Sequence, residues 1–377
     1  MRFLLLLPVC GFAAAACAQT TELPLGSPAY HIIDRLEIKS GEDAPFFSGQ
    51  KPYTRTSVEQ YALRLDSARL LDITGKDRQD LFYLHKDNNL SLAARTEDCP
   101  RKDRYVESKR PFLNTFYRTP ANFYEANVPH FAFNINPILN LSIGSELGAS
   151  RIDFNNTRGV NIQAGIDNKV WLWTNLTDNQ TRFEGFVTRD IREKRYVPGA
   201  GYYKVYNSKV LARGVTDAYD YLNADGGVAV QATQHIKVQL GHGRNFIGEG
   251  YRSLFLSDIS NNYFYLKLNT RVWKFDYQNI FAELTRDNGG RGLDTLYGKK
   301  YMATHHLSFR PTKNLTIGAF ETVVFSRPDH FEFQYLNPVI FYRTIESSLG
   351  SPDNSLLGFD IIQFVAPRFA LRASAAR

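Results

Sequence analysis

From Phe131 onward, apolar and polar side chains alternate along the chain with a period of two residues. In the first such segment, Phe131, Phe133 and Ile135 alternate with alanine and asparagine. The same alternation recurs over residues 139–144, 160–167, 228–232, 236–241, 264–269 and 273–278. Because successive side chains of a β-strand point to opposite faces, each segment predicts a strand with one apolar and one polar face. The pattern therefore predicts a mainly antiparallel β protein.

Two architectures explain strands of this kind. In an outer-membrane β-barrel, the apolar faces meet lipid, and the polar faces, rich here in Asn, Gln, Gly and Lys, line the lumen. In a secreted β-sandwich, the polar faces are the solvated outside. Turn-like stretches at 136–144, 233–241, 310–318 and 366–372 favour the short periplasmic turns of a barrel. Aromatic residues near strand ends would form an interfacial girdle: Phe131, Trp171, Trp173, Tyr263, Trp273 and Phe309.

The chain before residue 126 has a different pattern. Residues 55–71 place Val58, Ala62 and Leu65 at helical spacing, and residues 76–84 predict a second short helix. We therefore divide the chain into a signal peptide (1–18), a small, partly helical N-terminal element (19–125) and a transmembrane β-barrel (126–377). Polar stretches at 193–222 and 286–300 predict loops.

The first eighteen residues predict export. Arg2 precedes an apolar run from Phe3 to Ala16, and Ala16-Cys17-Ala18 offers a cleavage site of small residues. The run is too short to cross a bilayer as a helix, so we expect a secretory signal peptide. Lipidation at Cys17 is the alternative, although alanines precede it where a leucine-type residue would be expected.

Composition favours the barrel and excludes several functional classes. Aromatic residues make up 14% of the chain although the mean hydropathy is −0.33, as expected for strands that are apolar only at alternate positions. Cys99 is the one cysteine outside the predicted signal peptide, so neither an internal disulfide nor a zinc cluster is expected. The net charge of +7 comes from dispersed residues, so we expect no nucleic-acid partner, and the sequence indicates no cofactor.

Two dense stretches carry the candidate binding chemistry: LGHGRNFIGEGYRSLFLS at 240–257 and QYLNPVIFYRTIESSLGSPDNSLLGFD at 334–360. The first is not a dinucleotide fingerprint, since Phe246 replaces the third glycine, and it lacks the Gly-Lys-Ser/Thr of a P-loop. Its polar and aromatic residues, with those of the second stretch, could bind a glycan: His242, Arg244, Asn245, Glu249, Tyr251, Arg252, Tyr335, Asn337, Tyr342, Arg343, Asp353 and Asn354. The structural alternative, which we favour for both stretches, is a plug or strand junction in the first and turn chemistry in the second.

Catalytic and metal-binding constellations are weak in this sequence. His305 and His306 would point to opposite faces of a strand, so they cannot easily bind one metal ion together. Asp329 and His330 could belong to a hydrolase triad, but no serine lies in a G-x-S-x-G elbow. We therefore expect a protein that is not an enzyme, with neither catalytic nor metal-binding residues.

Both dense stretches, together with HIIDRLE at 31–37 and FLNTFY at 112–117, resemble the Wzi-like capsule assembly family of Bacteroidetes outer membranes, which includes the gliding motility protein RemB. The resemblance implies a large outer-membrane β-barrel with a helical periplasmic or lumenal element and a non-catalytic role at the cell surface. Its expected partners are outer-membrane lipid, capsular or other surface polysaccharide, and gliding or other surface machinery. The alternatives are an oligosaccharide-permeable porin and, less favoured, an outer-membrane hydrolase of lipid or glycan.

The C-terminus modifies this expectation. The sequence stops at Ala373-Ser374-Ala375-Ala376-Arg377, shortly after a turn signal, whereas barrel chains commonly end on a strand with a terminal aromatic residue. Since a closed barrel leaves no free strand edge, we expect an incomplete barrel, truncated at its C-terminus relative to the resembled family. The expected location is the cell outer membrane.

Overall fold

The protein is mainly antiparallel β with few helices, as the sequence predicts. A computed structural model describes residues 21–41, 44–67, 74–88, 108, 111–119, 121–148, 151–167, 169–208, 215–285, 298–327, 332–339, 341–350, 353–366 and 369–377. The predicted signal peptide, Cys99, the Asp329–His330 pair and residues 286–297 of a predicted loop lie outside this range.

Within the predicted N-terminal element, the described residues 21–41, 44–67 and 74–88 form an apolar core of their own. From here on, the N-terminal element means these residues. Their helices are α1 (Ala29–Ser40), α2 (Arg55–Ser67) and α3 (Gly75–Asp87), with a short strand β1 (Gln50–Lys51) before α2. The fully buried side chains of this core include Leu23, Ile33, Leu36, Val58, Tyr61, Leu65 and Leu84. The helices predicted at 55–71 and 76–84 are confirmed over their described residues. Helix α1 was not predicted, although its buried positions 29, 33 and 36 repeat at helical spacing.

Helix α3 begins at a capping box that also joins it to α1. The Thr74 backbone N–H donates to the Asp77 carboxylate at 2.9 Å, and the Asp77 backbone N–H donates to Thr74 Oγ1 at 3.3 Å. Arg35 of α1 donates to Asp77 at 2.6 Å and to Asp80 at 2.7 Å, and Lys39 also pairs with Asp77. Burial acts to raise the pKa of Asp77, but these donors outweigh it and hold the pKa well below its ordinary value.

The remaining strands form the wall of the protein. They are β2 (Tyr124–Val128), β3 (Phe131–Ser145), β4 (Ile152–Ile166), β5 (Val170–Arg182), β6 (Lys204–Ser208), β7 (Val215–Gln231), β8 (Ile236–Gly243), β9 (Phe246–Ile247), β10 (Tyr263–Val272), β11 (Phe275–Thr285), β12 (Lys299–Thr312), β13 (Leu315–Phe325), β14 (Asn354–Ala366) and β15 (Phe369–Ala376). In the described part of the chain, all but β9 belong to one antiparallel sheet of 13 strands. The sheet runs as a meander from β2 to β15, with β6 attached beside β7.

Two helices interrupt the meander. Helix α4 (Gly185–Lys194) follows β5, and helix α5 (Tyr342–Leu349) lies between β13 and β14, after a 3-10 turn at Phe333–Leu336. No helix in the described ranges combines the length and the apolar character that a membrane-spanning helix needs.

Three expectations about local structure are wrong. The turn predicted at 136–144 lies inside β3, where Pro137 faces Val160 of β4. The loop predicted at 193–222 contains β6 and the first half of β7. The alternation was missed there because β7 places tyrosines on one face and Ala218 and Asp220 on the other, which is not a simple apolar and polar pattern. The 334–360 stretch, which we expected to be a strand entering a loop with turn chemistry, instead contains α5 before β14. The turns predicted after β7 and β12 are confirmed, whereas residues 367–368 of the turn predicted after β14 lie outside the described residues.

The connections between strands differ at the two ends of the sheet. At the short-turn end, tight turns such as residues 129–130, 273–274 and 313–314 join neighbouring strands. At the long-loop end, the connections are residues 183–203, 244–262, 286–298 and 326–353. Outer-membrane barrels have the same asymmetry, with short periplasmic turns and longer extracellular loops.

The sheet curls around the N-terminal element. Side chains from strands far apart in the sheet order all contact this element: Gln163 of β4, Lys237 of β8, Lys267 of β10, His306 of β12 and Arg372 of β15. Since β4 and β15 lie near opposite ends of the sheet, one element can contact both only if the sheet is strongly curved, with the element on its concave side. We call the concave face inward and the opposite face outward.

The two faces differ in chemistry, which confirms the predicted alternation. Outward positions carry exposed apolar side chains, including Leu139, Leu141, Ile143, Leu172, Leu176, Leu222, Phe264, Phe359, Phe369 and Leu371. Inward positions carry buried polar ones, including Asn134, Gln163, Asn179, Lys237, Gln239, Lys267, Gln278, Thr304, His306 and Asp360. The predicted aromatic girdle is wrong for Trp171, Trp173 and Tyr263, which lie at inward positions of the strand register.

Candidate functional site

The junction between the N-terminal element and the inward face, which we call the plug interface, contains two buried ionic clusters. In the first cluster, Glu22 accepts from Lys267 Nζ at 2.9 Å and from Lys237 Nζ at 3.5 Å. Gln239 Nε2 donates to the other oxygen of Glu22 at 3.0 Å. Lys267 also donates to Asn245 Oδ1 at 3.1 Å. One carboxylate therefore joins the N-terminal element to β8 and β10, and through Lys267 to the 244–262 loop.

The charge balance of this cluster favours an ionised Glu22. Burial acts to raise the pKa of Glu22, but Lys267 and Lys237 outweigh it and hold the pKa below its ordinary value. Without this carboxylate, two buried lysines would face each other across β8 and β10 with no counter-charge from the N-terminal element. Leaving buried charges uncompensated is strongly destabilising. The two lysines therefore favour the position of the N-terminal element in which Glu22 supplies their counter-charge.

The second cluster surrounds Arg372 of β15. Its guanidinium lies 3.4 Å from Asp34, 3.4 Å from Glu37 and 3.5 Å from Glu249. The first two carboxylates belong to α1, and the third belongs to the 244–262 loop. Three separate parts of the chain therefore meet at one arginine.

Carboxylates outnumber cations around Arg372, which changes the protonation of two of them. Burial raises the pKa of Glu37 to about 7, with Arg372 opposing the shift and Asp34 adding to it. Burial raises the pKa of Glu249 to about 8, against Arg372 and with Glu37. Glu249 is therefore mostly protonated at neutral pH, whereas Glu37 is partly protonated there. Among the described residues, no group of three or more His, Cys, Asp or Glu side chains has the placement of a metal site.

A serine, a histidine and a carboxylate also meet at the plug interface. His306 Nε2 lies 2.9 Å from Asp360 Oδ1, and His306 Nδ1 lies 3.3 Å from Ser308 Oγ. Gln50 Nε2 donates to His306 Nδ1 at 3.0 Å and to Ser308 Oγ at 3.1 Å. Because the amide donates to Nδ1, the histidine proton lies on Nε2 and is donated to Asp360. With His306 1% exposed and Ser308 2% exposed beneath Gln50, the group has no room for a substrate, and we interpret it as a packing contact.

Backbone carbonyls of the N-terminal element complete the plug interface near the short-turn end. Arg310 of β12 donates to Ala44 O and to Phe46 O, each at 2.8 Å, and Arg271 of β10 donates to Pro45 O. Both guanidinium groups also lie over the Phe47 ring. The segment before α2 is therefore held by two arginines that project from the ends of neighbouring hairpins.

The 244–262 loop folds inward instead of extending away from the wall. Its strand β9 pairs with β1 of the N-terminal element, with Gln50 opposite Ile247 and Lys51 opposite Phe246. Phe255 stacks on Phe320 of β13 with ring centroids 4.7 Å apart. These contacts place an apolar patch of the loop against the inward face. The loop and the N-terminal element thus form one body inside the curved sheet.

The structure separates the candidate glycan residues of the first stretch. Asn245 belongs to the first buried cluster described above, and Glu249 belongs to the second. Arg244 and Arg252 both bond to Asp258 within the loop, and Tyr251 is 82% exposed. His242 is an exposed residue of β8, paired with Phe264 at an outward position. The favoured structural alternative, a plug or strand junction, describes Asn245 and Glu249; a glycan role for these residues stays a prediction.

Tyr342 and Arg343 of the second stretch lie on the outward face, whereas the strand register places Asn354 inward. The Tyr342 ring stacks on His305 with centroids 4.4 Å apart, and the Arg343 backbone N–H donates to Glu321 Oε1 at 3.1 Å. His305 and Glu321 pair at 2.9 Å, so this segment covers a polar pair on the outward face. His306 points inward, so the prediction that the two histidines face opposite ways is confirmed.

The other members of the second stretch have structural partners. The Tyr335 hydroxyl donates to Asp353 at 2.8 Å, and Arg327 holds the same carboxylate through two contacts of 2.8 Å. Asn337 Oδ1 accepts from the Val339 backbone at 3.0 Å, and Asn354 begins β14. A glycan role for this stretch also stays a prediction, and its contacts are those of a segment folded against the wall.

Apart from Asn245 and Glu249, the sequence did not single out the residues that form the ionic clusters. Lys237, Lys267 and Arg372 occupy the polar positions of alternating strands, where the lumen of an open barrel would also place charged residues. Glu22 and Glu37 lie in the N-terminal element, whose position relative to the strands no local pattern encodes. A count of inward cations unmatched by carboxylates on neighbouring strands could have indicated a missing acidic partner.

Comparisons with known proteins give remote similarities only. No protein-family model and no curated protein matches the chain. Among solved structures, it is similar to the CymD monoaromatic hydrocarbon channel, with a TM-score of 0.28 and 11% identity over 67% of this chain and 75% of that one. It is also similar to a Pseudomonas aeruginosa FadL homologue, with a TM-score of 0.27 and 11% identity over 66% of each chain. Neither similarity assigns a family or a cargo to this chain.

Proposed function

We propose that this chain is an outer-membrane β-barrel protein that its own N-terminal element closes, and that it holds surface polysaccharide without catalysis. Support for the membrane comes from the outward face, where exposed apolar side chains follow one strand after another. Soluble monomers rarely expose continuous apolar surfaces of this extent, whereas lipid covers such surfaces on transmembrane barrels. The cover that residues 333–349 form over His305 and Glu321 fits the same account, since it removes a polar pair from contact with lipid.

The plug interface carries the proposal of a barrel whose lumen is blocked by the N-terminal element. Its contacts reach five strands across the sheet and include two buried ionic clusters. Releasing the element would separate the partners of both clusters, and removing one partner while the other stays buried costs about 3–5 kcal/mol. A closed barrel holds or presents a ligand instead of passing solutes freely.

Surface polysaccharide is the proposed ligand for two reasons. The inward face of β3, β4 and β5 is rich in amide and hydroxyl side chains, which match the hydroxyl groups of sugars as donors and acceptors. The sequence resemblance to Wzi-like capsule assembly proteins and RemB points to capsule attachment or gliding at the cell surface. The proposed partners are outer-membrane lipid, capsular or other surface polysaccharide, and other surface machinery.

An oligosaccharide-permeable porin is the second candidate. One observation favours it: on β5 and β7, the contacts of the N-terminal element leave a partly exposed polar surface on the inward side. A path along that surface would conduct ions in a planar bilayer without movement of the N-terminal element. Steady conductance of the wild-type chain would favour the porin, whereas a silent barrel favours the closed form.

A clean deletion tests the proposed function in cells. We expect the protein in the outer-membrane fraction, and we expect its loss to release capsular polysaccharide into the medium or to alter surface spreading. Complementation with the wild-type gene should restore both, as should a Glu283→Gln control, whose carboxylate makes only an exposed ion pair with Lys299. Normal polysaccharide retention together with normal spreading in the deletion strain would contradict the proposal.

A further inference from the structure

Part of the inward face has its own hydrogen-bonded arrangement away from the ionic clusters. It consists of Asn161 of β4, Trp173 and Asn175 of β5, and Asp225 of β7, which we call the inner-wall site. The strand register places these residues side by side, with Asn161 opposite Asn175 and Asn175 opposite Asp225. All four are partly exposed on the concave side of the sheet.

The amides of the site form a directed chain that begins at the N-terminal element. Thr21 Oγ1 donates to Gln163 Oε1 at 2.8 Å, and Gln163 Nε2 donates to Asn161 Oδ1 at 3.1 Å. Asn161 Nδ2 then donates to Asn175 Oδ1 at 2.5 Å, and Asn175 Nδ2 donates to Asp225 Oδ1 at 2.7 Å. Each amide is fixed by its neighbours, so its remaining donor and acceptor positions are oriented before any ligand arrives.

The Trp173 ring lies beside this chain and next to Gly227 of the neighbouring strand. A Cβ atom added to Gly227 of β7 would lie 2.7 Å from Trp173 Cη2, so the indole occupies the space that any side chain at 227 would fill. The glycine therefore lets the ring rest on the backbone of the neighbouring strand. The indole is partly exposed, so part of the ring can contact a ligand on the concave side.

Asp225 gives the site its charge. Among the described residues it forms no ion pair, and its hydrogen bond from Asn175 uses one oxygen. The second oxygen can accept from a ligand hydroxyl, and such charge-assisted bonds are stronger than neutral ones. Arg244 also acts on this carboxylate electrostatically. Within the four residues of the site the carboxylate is the charged group, so the site favours a hydroxyl donor over the carboxylate of an acidic glycan.

We infer that the inner-wall site binds an uncharged oligosaccharide, which stacks a sugar ring on Trp173 and donates hydroxyl hydrogens to Asp225. An aromatic face matches the apolar C–H face of a pyranose ring, and oriented amides and a carboxylate match its hydroxyl groups. This inference rests on the proposed polysaccharide role and specifies where one segment of the polysaccharide would bind. The site lies between Gln163, which contacts the N-terminal element, and Tyr221, against which residues of the 183–203 connection pack.

Tryptophan fluorescence of the full chain in detergent tests the inference. The sequence has three tryptophans, and Trp171 is buried while Trp273 lies exposed at a tight turn. A Trp171→Phe/Trp273→Phe variant therefore reports on Trp173 alone. We expect its emission to change saturably with maltohexaose, cellohexaose or chitohexaose, and to stay unchanged with an oligogalacturonate of equal length.

Two variants locate the binding. Asp225→Asn keeps an acceptor for Asn175 but loses the charged acceptor, and we expect about tenfold weaker binding, measured by calorimetry. Trp173→Ala should weaken binding by about tenfold or more, whereas Trp273→Ala should leave it unchanged. Heat-modifiable gel mobility verifies that each variant is folded. If Trp173→Ala is unfolded, the binding affinity of Asp225→Asn alone tests the site.

The outcomes separate this inference from the proposed function. If the wild-type chain binds a hexaose and both Trp173→Ala and Asp225→Asn bind it equally well, the inner-wall site is overturned while a polysaccharide role stands. If the wild-type chain binds none of the hexaoses, the inference is overturned, and the deletion phenotype alone decides the proposed function.

Discussion

Replacing Glu22 by glutamine is expected to open the barrel. The substitution leaves Lys237 and Lys267 buried without their counter-charge, and breaking one side of a buried ion pair costs about 3–5 kcal/mol. A penalty of this size shifts the equilibrium between a seated and a released N-terminal element by about a hundredfold or more. In planar bilayers, the wild-type chain should stay closed, and Glu22→Gln should show frequent large openings.

The matched control is Glu283→Gln, which removes a carboxylate from an exposed pair with Lys299. Exposed pairs contribute about 0–1 kcal/mol, so this variant should conduct no more than wild type. Equal conductance of Glu22→Gln and wild type, with both folded in the bilayer, would show that the first ionic cluster does not hold the N-terminal element.

Alkaline pH is expected to release the N-terminal element as well. Burial raises the pKa of Glu249 to about 8 and that of Glu37 to about 7, whereas both carboxyls return toward their ordinary values when the element leaves. At any pH between the ordinary carboxyl pKa and these raised pKa values, the seated form therefore binds more protons than the released form. Its stability is full below the ordinary carboxyl pKa and is lost as pH rises through about 7 and 8, by up to about 1.4 kcal/mol per pH unit for each group.

The charged groups facing Glu249 determine how steep this response is. Arg372 and Lys51 favour the charged form of Glu249, whereas Glu37 and Asp360 disfavour it. Openings in the bilayer should be rare at acidic pH and frequent at alkaline pH. Glu249→Gln, a neutral mimic of the protonated side chain, should reduce this dependence by about half, and Glu37→Gln/Glu249→Gln should nearly abolish it. A wild-type conductance that ignores pH would contradict this account of the second cluster.

The sequence predicted the wall because its signal is local. In β3, Phe133 and Ile135 face outward while Asn134 faces inward, as a period of two requires. The same reasoning failed for Trp171, where a strand end suggested an interfacial ring and the register placed the side chain inward. The odd or even position of a residue in its strand therefore predicted the face of its side chain better than the type of residue did.

The plug interface could not be predicted because its contacts join residues distant in sequence. Glu22 meets lysines more than two hundred positions away, and Arg372 meets carboxylates of α1 and of the 244–262 loop. The glycine-rich stretch at 240–257 was interpreted as a plug or strand junction, but nothing in the sequence of 334–360 indicates that it covers the outward face. Only the curvature of the whole sheet separates them.

Site-directed spin labelling in lipid vesicles tests most directly whether this sheet is a membrane barrel. Single cysteines at Leu139, Asn140, Leu141 and Ser142 of β3, in a Cys99→Ala background, alternate between the outward and the inward face. We expect labels at 139 and 141 to collide mainly with oxygen dissolved in lipid, and labels at 140 and 142 to collide mainly with a water-soluble nickel chelate. Equal access of the nickel chelate to all four positions would show water on both faces and would contradict the membrane barrel.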